Sequence, residues 1–173
     1  MLKVDLLPWI EAVSELGDDV LEVGPGPGLT TDLLRERVAR VTAVELDPDL
    51  AAALAERLAG TNVEVIHGDA SDTGLQSDRF TTATCFSMLH HIPASETQDR
   101  LFAEMHRVLR RGGTFLGIDG VDNEAIREFH VDDVFNPVDL ATFPARLESF
   151  GFTYVKTESD ASGLQFRFRA TKP

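Results

Sequence analysis

Cysteine is nearly absent from this chain: Cys85 stands alone. No internal disulfide can form and no thiolate cluster is available for a metal, which argues against a disulfide-stapled scaffold and against dithiol redox chemistry. Basic residues are scarce too, with 16 Lys and Arg against 29 Asp and Glu and a formal net charge of −13. Such a chain repels polyanions at long range and offers no basic stripe to hold phosphates, so DNA and RNA are poor partners. Nor is there an unbroken apolar run of the roughly 18 to 20 residues that a membrane span needs. Met1 to Glu11 carries Lys3, Asp5 and Pro8 where a secretory segment would be apolar. The expected location is therefore the cytoplasm. Repeats, linkers and low-complexity segments are also missing, and 173 residues suffice for one core but not two. The reading is a single domain over residues 1–173 that opens with a short helix.

What is present is alternation. Short β-rich apolar runs at Asp19–Val23, Arg40–Glu45, Val63–His67, Phe80–Phe86, Gly113–Asp119, Thr153–Glu158 and Leu164–Ala170 predict strands. Helical periodicity fills Val4–Leu16, Thr30–Val38, Asp49–Leu58, Ser95–Leu109 and Pro137–Phe150. Strands alternating with helices predict an α/β fold with a parallel sheet covered on both faces. Leu101, Phe102, Met105, Val108 and Leu109 recur at spacings of three and four, which marks one core-facing side. Gly112 and Gly113 follow and predict a positive-φ cap for that helix. Only Ser159–Gly163 separates the last two strands, too short for a parallel crossover, so they should form an antiparallel hairpin.

Val20–Gly28 reads VLEVGPGPG, a strand running into glycines 24, 26 and 28 before a helix opens. Glycines here let the chain bend sharply at the carboxyl end of the strand and let a ligand approach the main chain. A dinucleotide fingerprint would place its third glycine at position 29, which is Leu29, and Glu22 would repel a pyrophosphate but not a cationic ligand. Glu45 ends the second strand roughly twenty residues after Gly24, where nucleotide-binding α/β folds place an acid on ribose hydroxyls. Asp47, just before Pro48, reads as the N-cap of the next helix. Asp69 follows the third strand and reaches the same edge, where an adenine amino group could donate to it.

These segments resemble the class I S-adenosylmethionine (SAM)-dependent methyltransferases, especially the small-molecule group that includes ubiquinone and menaquinone biosynthesis enzymes. The resemblance covers nearly the whole chain and rests on VLEVGPGPG (20–28), VTAVELDPDL (41–50), HGDA (67–70), FSMLHHI (86–92), MHRVLRRGGTFLGID (105–119) and LESFGF (147–152). It implies a Rossmann-like three-layer sandwich with a seven-stranded, mostly parallel sheet of order 3-2-1-4-5-7-6 and an antiparallel strand 7. It also implies methyl transfer from SAM, leaving S-adenosylhomocysteine. The turn Glu22–Gly26, with Gly24 and Gly26, would hold the methionyl part and Glu45 the ribose. Leu46 would pack near the adenine, Asp69 and Ala70 would meet its edge, and Phe86 or Ser87 would line the methionine side. The glycine turn begins about 20 residues into the chain, where many relatives carry a longer covering segment. The pocket is therefore expected to be covered by the region after the fifth strand or by a second subunit, or to admit a large or partner-delivered substrate.

For an acceptor that begins protonated, His90 and His91 are the base candidates, with capping or packing of their loop as the alternative role. His130, Asp132 and Asp133 are spaced too loosely to predict a metal site. After the fourth strand the chain reads Ser87-Met88-Leu89-His90, not the Asn or Asp, two prolines and aromatic that amino-group adenine methyltransferases resemble one another in. Cys85 lies in an apolar strand without a basic neighbour and reads as a core thiol, not a nucleophile. A small-molecule acceptor remains. Its binding is expected from Val121–Pro144, with Phe129, His130, Phe135 and Phe143, and from Trp9, although helix packing accounts equally well for these aromatics. Two alternatives stay open: a SAM-binding partner or regulatory protein without transferase activity, and a nicotinamide oxidoreductase, which Leu29 and the terminal hairpin disfavour.

Overall fold

The computed structural model describes residues 9–10, 15–123, 127–128 and 134–173. Strands β1 (Asp19–Val23), β2 (Arg40–Glu45), β3 (Val63–His67), β4 (Phe80–Phe86), β5 (Leu109–Gly120), β6 (Thr153–Ser159) and β7 (Gln165–Thr171) form one sheet in the order β3-β2-β1-β4-β5-β7-β6. The expected order is thus the observed one. Pairings among β1 to β5 are parallel, and β7 runs antiparallel to both β5 and β6. Helices α1 (Leu29–Arg35), α2 (Pro48–Arg57), α3 (Ser95–Val108) and α4 (Phe143–Ser149) connect the strands, and a short 3-10 turn spans Leu89–His91.

All five residues of β1 are buried because both faces of the sheet are covered. The pleat then sorts neighbours to opposite sides. Phe115 joins Phe102, Phe143, Phe152, Phe166 and Phe168 on one face, where Phe102 meets Phe143 edge-on at 5.7 Å between ring centroids. Leu116 and Ile118 join Trp9, Leu34, Val38 and Phe86 on the other. The connection from β3 to β4, residues 68–79, contains no helix, and α3 serves that stretch instead. Glu104 accepts from Thr73 N at 2.9 Å, and Arg107 donates to Leu75 O at 2.8 Å.

Three expectations need correction. The helix predicted over Pro137–Phe150 is only Phe143–Ser149. The chain before it is held in a turn on Asp139 instead, whose carboxylate accepts Ala141 N at 3.0 Å and whose carbonyl accepts Thr142 N at 3.1 Å. Gly112 does take positive φ (75°), but not as a helix cap. The cap is Leu109 in extended conformation, already paired with Phe80, and Gly112 lies where β5 bulges before pairing resumes at Thr114. Strand β7 begins one residue late because the Asp160 carboxylate accepts Leu164 N at 3.1 Å, holding that residue in the hairpin loop. Of the helix expected at Val4–Leu16, Trp9 and Ile10 are helical and residues 1–8 and 11–14 lie outside the described residues.

Candidate functional site

The carboxyl ends of β1, β2, β3 and β4 open onto one cavity of about 730 Å³, within the ordinary range for a small-ligand site. Its floor is the glycine turn. Gly24 (φ 66°) packs so closely under Met88 that a Cβ would sit 3.0 Å from the Met88 side chain. At Gly26 (φ 53°) a Cβ would meet nothing within 4 Å, so the backbone faces open space. Positive φ at both positions restricts them to glycine in practice.

Glu45 ties this turn to β2. It is 7% exposed, accepting Gly26 N at 2.8 Å with one oxygen and Asp47 N at 3.0 Å with the other. A carboxylate has about four acceptor positions, so two remain for donors arriving in the cavity. Asp47 caps α2 as expected, accepting Asp49 N and Leu50 N. Asp69 lines the cavity with one oxygen turned into an Asx turn on Ser71 N at 2.8 Å. Leu46, Ala70, Phe86 and Ser87 line it as well. Ser87 adopts positive φ (52°) with its N–H given to Ile118 O at 2.7 Å. That backbone state is costly for a residue with a Cβ and is common where a strand end is bent toward a site.

Glu22 is different. It does not line the cavity but lies fully buried behind the turn, accepting from the hydroxyls of Thr30 and Thr31. Burial raises its pKa to about 7, against the lowering by the two threonines, and the charges of Asp32 and Glu45 push the same way as burial. Its observed contacts shape the start of α1.

The two histidines are separated by the fold. His90 is 6% exposed, and its ring N–H donates to Asp119, which also accepts Leu89 N at 2.7 Å and Gly120 N at 2.6 Å. It does not line the cavity, so the packing alternative describes His90. His91 does line it. Behind them Gln98, 1% exposed, donates to Leu89 O at 3.0 Å and Asn136 O at 2.8 Å, while Asn136 donates to Ile92 O at 3.0 Å. The loops leaving β4 and β5 are thereby laced together.

The aromatics expected to choose an acceptor divide likewise. Trp9 and Phe143 are core residues, Trp9 under the Arg167 guanidinium at 5.7 Å. Phe135 packs on His90 at 5.8 Å. Phe129, His130, Asp132 and Asp133 lie outside the described residues. Among the described residues no group of three or more His, Cys, Asp or Glu could hold a metal. Cys85 is fully buried, and burial drives its thiol pKa well up, as a core thiol requires. Sequence reasoning missed Met88, Ile92, Thr97 and Arg100 as lining residues. The available signal was the lack of a helical pattern between β3 and β4, which obliges α3 to border the cavity.

Residues 21–117, more than half of the chain, match the family described as "Methyltransferase domain". A ribosomal RNA small subunit methyltransferase A from Deinococcus radiodurans is 55% identical over 56 residues, which is 32% of this chain and 19% of that protein. The chain thus spans about a fifth of the length of this curated relative. Among solved structures, phosphoethanolamine N-methyltransferase 2 from Haemonchus contortus, in complex with phosphomonomethylethanolamine and S-adenosylhomocysteine, superposes with a TM-score of 0.81 at 16% identity. The alignment covers 97% of this chain and 52% of that one. A methyltransferase-like protein from Bacillus halodurans superposes with a TM-score of 0.75 at 21% identity, covering 98% of this chain and 99% of that one. At these identities the structures show the shared fold.

Proposed function

Given that the chain belongs to the methyltransferase-domain family and carries a SAM-dependent methyltransferase domain, we propose that it transfers the methyl group of SAM to a small-molecule acceptor. One observation carries the reading: the glycine turn, Glu45 and Asp69 converge on a single cavity at the carboxyl edge of the sheet. The residues present fit the cofactor. Gly24 and Gly26 would offer main chain to the methionyl part, Glu45 would accept from the ribose hydroxyls with its remaining acceptor positions, and Asp69 and Ala70 would meet the adenine edge with Leu46 beside it. Phe86 and Ser87 would border the methionine side.

When bound, the sulfonium supplies an activated methyl group, and the acceptor's lone pair forms the new bond as the sulfur–carbon bond breaks. The protein's part is alignment and exclusion of water, which can account for roughly 7 to 11 kcal/mol of barrier lowering. For a protonated nucleophile, His91 on the cavity wall is the base, oriented by a loop that His90 and Asp119 pin. The acceptor is small because the chain's charge of −13 repels nucleic acid and because Ser87 to His90 lack the residues that an adenine amino group would need. Alignments to ribosomal RNA methyltransferases cover 32% to 52% of this chain, so RNA acceptors belong in the screen as the competing outcome. A cytoplasmic setting accompanies the reading.

Calorimetric titration with SAM and S-adenosylhomocysteine tests the cofactor half. Glu45→Ala should weaken both by about tenfold or more, since a hydrogen bond to a charged group contributes roughly 1.5 to 3 kcal/mol. Product formation in an acceptor screen tests the other half. Cofactor binding without any product would instead support a SAM-binding regulatory partner.

A further inference from the structure

The cavity has two walls from opposite faces of the sheet. Helix α2 packs on Ala43 through Leu54 and Leu58, and Ala43 shares its side of β2 with Val41. Helix α3 packs on the other side through Leu101, Phe102 and Met105. From the β2–α2 connection comes Leu46 and from α2 Leu50, 67% and 40% exposed, both lining the cavity. From the α3 side come Thr97, Arg100 and Leu101. Arg100 precedes Glu104 by one turn, about 6 Å along the axis, and Glu104 is fastened to Thr73. Arg100 thus lies one turn nearer the start of α3 than the residue that holds the segment after Asp69, and both Arg100 and Asp69 line the cavity.

Arg100 is a guanidinium whose single described polar contact is Thr97 Oγ1 at 2.9 Å. In a chain with 29 acidic residues it has no carboxylate partner among the described residues. Asp69 lines the same cavity, yet its described contact is Ser71 N. A cation and an anion share one cavity without closing on each other, and two exposed leucines line it with them. This arrangement suits a flat, neutral, electron-rich ring with an amino group at its edge: leucines on one face, guanidinium on the other, carboxylate at the amino group. A planar guanidinium stacks on such a face, as an ammonium cannot.

We propose that Arg100 is the second jaw of the adenine pocket, laid on the base opposite Leu46 and Leu50 while Asp69 accepts from the amino group. The inference rests on the SAM reading and adds to it a cofactor-binding residue from α3, which takes the place of a helix between β3 and β4.

The test is calorimetric titration of S-adenosylhomocysteine into wild type, Arg100→Ala and Arg100→Lys, with thermal melts of each apo protein. Arg100 is exposed, so the apo melting temperatures should agree. Arg100→Ala should weaken binding by about tenfold, in the range of a cation–π contact shielded from water. Arg100→Lys should recover only a minor part, because it restores charge without the planar face. Full recovery by Lys would overturn stacking as the contact. Unchanged affinity in Arg100→Ala, with or without an effect on an acceptor's KM, would overturn the adenine assignment. A folded wild type that binds no S-adenosylhomocysteine would overturn the SAM reading itself, and the inference with it.

Discussion

Replacing Glu22 with Gln should stabilise the protein in alkaline solution and do almost nothing in acid. The Glu22 carboxyl is fully buried and its pKa rises from 4.5 to about 7. Because the folded state holds the proton more tightly than the unfolded chain, the associated stability is complete below pH 4.5 and is lost as pH rises through 7. At about 1.36 kcal/mol per pH unit between the two values, the loss approaches roughly 3 kcal/mol. Gln mimics the protonated acid in shape and keeps partners for the Thr30 and Thr31 hydroxyls, but carries no charge to bury. The assay is urea denaturation of both proteins at pH 5 and pH 8.5. Comparing Gln with Glu at each pH cancels every other titrating group. The Gln variant should gain about 2 to 3 kcal/mol more at pH 8.5 than at pH 5, on the order of 1 M in midpoint for an ordinary urea slope. An equal difference at the two pH values would refute the argument, since Glu22 would then be ionised without penalty or already exposed to water.

Asp119→Ala removes the acceptor of His90, Leu89 N and Gly120 N together. Leaving these buried donors unmet should cost about 3 to 5 kcal/mol in chemical denaturation, whereas a loss below about 1 kcal/mol would mean that the loop after β4 has another anchor. His91→Gln, at an exposed cavity position, should leave the melting temperature and cofactor affinity unchanged. For an acceptor that must lose a proton it should lower kcat by about 10² to 10⁴, and a kcat that is unchanged across the pH profile would remove His91 as the base.

The order of the elements and the acids at the strand ends were legible because each rests on a local signal. Apolar runs predicted the strands, the VLEVGPGPG turn predicted where the cavity floor lies, and Glu45 could be placed from its distance to Gly24. The terminal antiparallel hairpin followed from a five-residue connection, while the strand order and the antiparallel seventh strand came from the resemblance to class I methyltransferases. Boundaries were less legible where nearby side chains compete with helix or ladder for the same backbone N–H. The Asp139 carboxylate takes Ala141 N ahead of α4, and the Asp160 carboxylate withdraws Leu164 from β7.

Side-chain roles diverged further. Adjacent histidines are indistinguishable by type, yet one is bound to a buried carboxylate 29 residues away and the other faces the cavity. Trp9 and Phe143 offered the same aromatic surface to core and ligand alike, and packing claimed them for the core. Periodicity and glycine placement thus determined the fold class, the order of the elements, the edge that carries the site and the residue types on it, because these depend on chain neighbours. Which carboxylate stays in the cavity, which histidine reaches it and which arginine borders it were decided only by tertiary structure, since each depends on partners brought together from strands and helices far apart in the chain.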